Sequence, residues 1–231
     1  MAHRPTEPGT SGRTTLYVAI GTTMLFAILT ALVVAKQTAV IDRTLILSLR
    51  ALASPWLTTV LLAVTFTSGW LALPAALFFA AMLYRRSGLR AASYYAGACI
   101  TALILDAVLK HVVNRARPHG VSPRLTAAGG YAYPSADAML AVVIFGLGTL
   151  MLSWTIRSRS TRSVAVCIAA LFVVAAAVAR VYLGAHWPTD VLGGVLAGAA
   201  CAALSIMALR RSEISAAPVV SAPPRSTAEG T

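Results

Sequence analysis

Apolar runs of about twenty residues, the length that crosses a bilayer, alternate with short polar stretches along most of this chain. The first run occupies residues 15–35, and others cover about 91–113, 136–155, 163–182 and 189–209. Residues 55–84 are too long for one straight span, and Ser68-Gly69 predicts a break into a short segment and a span ending at Tyr84. Between the first two runs, Ile41, Leu45, Leu49 and Leu52 recur at helical spacing among charged residues, the pattern of a helix lying at a membrane interface. Counted with 55–84 as one crossing, the pattern predicts six spans. The expected fold class is all-α: a polytopic membrane helical bundle occupying 15–209. Residues 1–14, with Pro5, Pro8, Gly9 and Gly12, and residues 210–231, rich in Ser, Ala and Pro, read as disordered tails. No clear small-x-small site precedes Lys36, so the first run reads as a retained span and not a cleaved signal peptide.

Composition supports the membrane reading. Of 231 residues, 58% are hydrophobic and only 11% are charged, whereas a soluble domain has about a quarter charged. The net charge of +12 suits nucleic-acid binding in principle. Here most arginines lie in short loops between apolar runs, so membrane topology explains them better and no nucleic-acid partner is expected. Arg4, Arg13, Arg85, Arg86, Arg90, Arg157, Arg159, Arg162, Arg210, Arg211 and Arg225, eleven of the nineteen basic residues, fall on one side of a six-span arrangement. The positive-inside rule makes that side, and both termini, cytoplasmic. Cys99, Cys167 and Cys201 lie inside apolar runs with no metal-ligand or CxxC spacing. Trp56, Trp70, Trp154 and Trp187 lie near span ends and read as interface anchors. Gly194-x3-Gly198 predicts close helix packing. Oligomeric state is not legible.

Three polar clusters interrupt the apolar pattern, all on the predicted outer side: Lys110-x6-Arg117-Pro118, then Tyr133-Pro134-Ser135-Ala136-Asp137, then Arg180-x5-His186-x3-Asp190. Ionisable groups at span ends are costly and mark functional sites. Lys110 and Arg117 supply a point charge and a bidentate fork for phosphoryl oxygens, or else anchor a helix end by snorkelling. Asp106 precedes Lys110 by one helical turn and is expected to pair with it. Ser135 reads as the N-cap of a helix whose free N–H groups attract anions; a simple capped helix is the plainer alternative. His186 and Asp190 are four apart, so the carboxylate is expected to bind one imidazole nitrogen and leave the other free to attack. A structural histidine at the interface is the competing reading, and too few ligands accompany it for zinc.

These residues give the chain a resemblance to the type 2 phosphatidic acid phosphatase (PAP2) superfamily of membrane lipid phosphatases, with its haloperoxidase-like helical core. The family's motifs are K-x6-R-P, P-S-G-H and S-R-x5-H-x3-D. The first is complete at Lys110, Arg117 and Pro118; the third matches at Arg180, His186 and Asp190, with Ala179 in place of Ser. Order and spacing cover about residues 55–209. The resemblance implies that His186 attacks phosphorus to form a phosphohistidine and that Asp190 orients it. It also implies that Lys110, Arg117, Arg180, Ser135 and the backbone N–H of Ala136 hold the phosphoryl oxygens. No metal or other cofactor is implied, because cations and N–H groups stabilise the transition-state charge. The expected partners are a lipid phosphate or polyprenyl diphosphate substrate and the surrounding membrane lipids.

The second motif departs from the family. Asp137 stands where the histidine that protonates the leaving oxygen is expected, and Ala136 replaces Gly. An ionised carboxylate repels phosphate and donates no proton; with a reference pKa of about 3.9 and cations nearby, a protonated one is disfavoured. Losing general-acid help typically costs about 100- to 10,000-fold. Three outcomes remain open: a substrate with a good leaving group such as a polyprenyl diphosphate, another donor such as His111 or His119, or a non-catalytic protein that binds lipid phosphate headgroups.

Overall fold

The computed structural model describes residues 8–119 and 129–215, and every regular element among them is helical. Seven helices follow in order: α1 (Pro8–Val34), α2 (Ala39–Ala51), α3 (Pro55–Gly69), α4 (Ala72–Val113), α5 (Ala136–Ser153, with a π-helical turn at Val142–Leu147), α6 (Arg159–Tyr182) and α7 (Pro188–Ser215). Five of them, α1 and α4 to α7, are long and apolar enough to cross a membrane. Wide apolar surfaces face outward, as at Ile100, Leu103 and Ile104 on α4 and Ile168, Leu171 and Val174 on α6. The protein is therefore a multi-pass membrane protein.

At 42 residues, α4 is about 63 Å long if straight, roughly twice a bilayer core. It is broken at Gly88, whose backbone (φ 84°, ψ 176°) lies in a region open to glycine alone. The halves fold back on each other: the rings of Phe79 and Tyr95 lie 6.3 Å apart, where a straight helix would separate them by about 24 Å. The segment over 72–87, about 24 Å long, thus runs back alongside the rest of α4. Helix α3 does not make a pass. Near its start, Thr58 Oγ1 hydrogen-bonds Tyr182 Oη at 2.8 Å, while a side chain at Gly69 would lie 3.6 Å from Arg180. Thr58 and Gly69 thus both lie near side chains of the last turn of α6, so α3 lies across that end of the bundle.

The main core joins α4, α5 and α7 through Leu83, Tyr95, Met139, Leu147, Met151, Cys201 and Ile206. Gly194 and Gly198 let α7 lie directly on α5: a Cβ on Gly194 would collide with the Ser135 carbonyl, and one on Gly198 would lie 2.7 Å from that of Met139. The small-residue pair therefore packs within the chain.

The amphipathic segment is the helix α2, with Ile41 and Leu45 exposed on its outer side, Leu52 exposed just past its end, and Asp42 and Ile46 buried against the bundle. The expected tail boundaries shift. Pro8 opens α1 inside the stretch read as a tail, since proline is favoured in a first turn and Gly9 and Gly12 weaken a helix without forbidding it. The last helix continues past 209 to Ser215, where Arg210 donates to Thr15 Oγ1 at 3.1 Å and Arg90 to the Ser212 carbonyl at 3.4 Å. Residues 1–7 and 216–231, the rest of the expected tails, lie outside the described residues.

Candidate active site

The start of α5, the end of α6, the turn before α7 and the segment after α4 meet beneath α3. The α4 helix stops at Asn114, whose left-handed backbone (φ 49°, ψ 40°) turns the chain so that residues 115–118 run toward the α6–α7 turn. That turn carries Gly184 at φ 71°, and Pro188 then opens α7. His186 sits between them and is 2% exposed.

The imidazole is held from both sides. Nδ1 lies 2.8 Å from the Ala132 carbonyl; a carbonyl only accepts, so Nδ1 carries the proton and donates it there. Nε2 is therefore the lone-pair nitrogen, and it accepts from Arg117 Nη1 at 3.0 Å. Burial pushes the histidine pKa below its ordinary 6.5, outweighing the opposite pull of Asp190, so the ring is neutral at pH 7. Arg117 is anchored as firmly, donating to the carbonyls of Ala185 at 2.7 Å, Gly129 at 2.8 Å and Gly130 at 3.1 Å.

Asp190 differs from its expected part. Its carboxylate is 3.8 Å from His186 Nδ1, beyond hydrogen-bond range, because the Ala132 carbonyl takes that bond. Asp190 instead accepts from the Trp187 N–H at 2.8 Å and from Arg115 Nη1 at 2.6 Å. It holds the backbone that carries His186 and places a negative charge behind the ring. Arg115 also donates to Asp42 of α2 at 2.5 Å, and Asp42 accepts from both the backbone and hydroxyl of Thr189, at 2.9 and 2.7 Å. Two fully buried carboxylates, Asp42 and Asp190, are thus bridged by one guanidinium.

In front of His186 opens a recess of about 880 Å³. Arg117, Asp137, Arg180 and His186 line its polar side; α3 lines the other with Leu62, Phe66 and Trp70. Ser135 begins α5 beside it, fully buried, with its N–H donating to the Asp190 carbonyl at 2.9 Å and its Oγ accepting weakly from the Ala138 N–H at 3.5 Å. Ala136 follows as the first residue of α5. The Asp137 carboxylate faces the recess and forms an ion pair with Arg180. Arg180 Nε and Thr65 Oγ1, which also borders the recess, are buried without a hydrogen bond.

Lys110 is placed differently from the other cations. It is absent from the recess lining, and its ammonium donates to Asp106 at 2.7 Å, the pairing expected from their spacing. Of the alternative proton donors, His111 stacks edge-on against Tyr131 at 5.9 Å, and neither His111 nor His119 lines the recess. Sequence reasoning missed Arg115, Asp42, Thr189 and the Ala132 carbonyl. Asp42 carried a signal, since an acid on the inward face of an amphipathic helix calls for a buried cation. The carbonyl carried none, because any residue type supplies one.

No curated protein matches the chain significantly. The fold is similar to the crystal structure of a transmembrane PAP2-type phosphatidylglycerolphosphate phosphatase from Bacillus subtilis, with a TM-score of 0.76 and 23% identity over 87% of this chain and 98% of that one. It is also similar to that of LpxE from Aquifex aeolicus, with a TM-score of 0.57 and 22% identity over 71% of this chain and 93% of that one. The PAP2 superfamily model matches residues 91–213, more than half of the chain and all three polar clusters. This protein belongs to the PAP2 superfamily.

Proposed function

We propose that the protein is a membrane phosphatase that hydrolyses a lipid phosphate or polyprenyl diphosphate through a phosphohistidine. The observation that carries this reading is the state of His186: neutral, with its proton fixed on Nδ1 and its lone-pair nitrogen beside Arg117 at the wall of the recess. Nε2 attacks phosphorus, the P–N bond forms, and the bond from phosphorus to the lipid oxygen breaks. The cationic phosphoimidazole that results lies near Asp190. Water then attacks phosphorus, releasing inorganic phosphate and restoring the neutral ring. Arg117 and Arg180 hold the phosphoryl oxygens. The start of α5 adds the Ser135 hydroxyl and the N–H of Ala136. Lys110 joins them only by releasing Asp106. The apolar face of α3, with Leu62, Phe66 and Trp70 exposed, suits a lipid tail lying beside the site.

Asp137 selects the leaving group. Paired with Arg180 it is an anion, so it cannot protonate a departing alkoxide. A diphosphate releases a lipid phosphate, which needs far less help, and this favours polyprenyl diphosphate over phosphatidic acid. The cation count supports an extracytoplasmic site, since arginine-rich loops crowd the opposite end. A second reading, a binder of lipid phosphate headgroups without turnover, draws on the same ion pair, because a carboxylate already fills the place of an anion.

The test is phosphate release by purified protein from polyprenyl diphosphate, phosphatidic acid and phosphatidylglycerol phosphate, with wild type beside His186→Ala and Asp137→His. The expected result is turnover of the diphosphate by wild type, none by His186→Ala, and a gain on monoesters for Asp137→His. Faster release from phosphatidic acid than from the diphosphate overturns the leaving-group reading. No turnover of any substrate by wild type or Asp137→His establishes the binder.

A further inference from the structure

At the end of the bundle remote from His186 lies a second recess, also of about 880 Å³. Arg162 borders it near the start of α6, whereas Arg180 borders the first recess near the end of that helix. The intervening helix is about 27 Å long, close to the thickness of the hydrocarbon core, so the two openings face opposite leaflets. Three arginines converge on the second opening: Arg90 just after the Gly88 break, Arg162, and Arg210 near the end of α7. Glu213 is the acid in the lining, which leaves two net positive charges. The floor is apolar, made of Leu83, Met151 and Leu209, at 0%, 2% and 4% exposure.

Topology alone accounts for arginines in these loops. It does not require them to border one recess with an apolar floor, nor to be fixed there. Arg210 lies 5.9 Å over the ring of Trp154, an exposed indole at the rim, and is tied to Thr15 of α1; Arg90 is tied to the last turn of α7. Guanidinium forks held at a bilayer surface above a greasy floor suit a phosphate that carries acyl chains better than a free ion. We propose that this cleft binds the headgroup of an anionic phospholipid from the leaflet opposite the catalytic recess. The site stands whether or not His186 is a nucleophile.

The experiment measures thermal unfolding of the full-length protein in neutral detergent while phosphatidylglycerol is titrated, with phosphatidylcholine and inorganic phosphate as separate arms. Phosphatidylglycerol is a diester, with no terminal phosphoryl group for the recess at His186. Stabilisation by phosphatidylglycerol alone is expected. At about fivefold per charge, Arg90→Gln/Arg162→Gln should weaken the apparent affinity about 25-fold, and Glu213→Gln should strengthen it about fivefold. Arg180→Gln, in the other recess, should leave it unchanged. Equal stabilisation by inorganic phosphate would identify a soluble-anion site and overturn the proposal. Loss of the effect in Arg180→Gln would place the lipid in the catalytic recess and overturn it as well. Should the double variant fail to fold, an unchanged affinity in Glu213→Gln decides against the cleft.

Discussion

The two sides of the catalytic recess are built on different terms. On the His186 side the key polar groups have fixed partners inside the fold: Ala132 for Nδ1, three carbonyls for Arg117, Arg115 for the buried pair Asp42 and Asp190. On the Asp137 side one carboxylate meets one guanidinium at the edge of an open recess, and Arg180 Nε and Thr65 Oγ1 have no hydrogen bond. The first side is preorganised at the cost of burying charge, which is tolerable only because each charge is paired. The second keeps cationic capacity that an incoming anion can claim from Asp137. Within one recess, the histidine side is rigid and the Asp137 side is exchangeable, the division that the proposed phosphohistidine chemistry calls for.

The sharpest way to break the contrast is His186→Ala, which should lower turnover by at least about 10,000-fold, read as phosphate release, with no labelled phosphohistidine trapped. Next comes Arg115→Ala. It leaves Asp42 and Asp190 buried and unpaired, and should destabilise the protein by about 3–5 kcal/mol in denaturant unfolding. On the exchangeable side, Asp137→His should raise monoester turnover by about 100-fold with little change in stability. The smallest effect concerns pH. Burial lowers the folded-state pKa of His186 below 6.5, so the unfolded chain binds the extra proton first, and stability should fall as pH drops below 6.5 toward the folded-state value. Unfolding curves of wild type and His186→Gln between pH 7 and 5 should differ in this slope, and parallel curves would show that the ring is not buried neutral.

The legible part of the fold was whatever repeats along the chain. Apolar runs of bilayer length became the five long helices, and the suspected break at Ser68-Gly69 separates α3 from α4. The direction of α3 was hidden, because a 15-residue apolar helix reads the same whether it crosses a bundle or lies over its end. In the site, residue types at fixed spacing located His186, Arg117, Arg180 and Asp137 around one recess. Contacts through backbone atoms are invisible in the sequence, which is why the spacing points to Asp190 as the partner of one imidazole nitrogen and says nothing of the Ala132 carbonyl. Lys110 shows the same limit from the other side: its spacing allows both a site cation and a partner for Asp106, and in the structure it pairs with Asp106.

Gly194 has a consequence of another kind. Without a methyl group there, the carbonyl of Ser135 rests on α7 while its N–H reaches Asp190, so the second and third clusters are clamped into one block. Any change in distance between the start of α5 and the turn that bears His186 would have to prise two helices apart along a glycine seam. If the site takes lipids as proposed, room for tails of different girth has to come from the lintel above that block, α3, where Leu62 and Phe66 are exposed beside the recess.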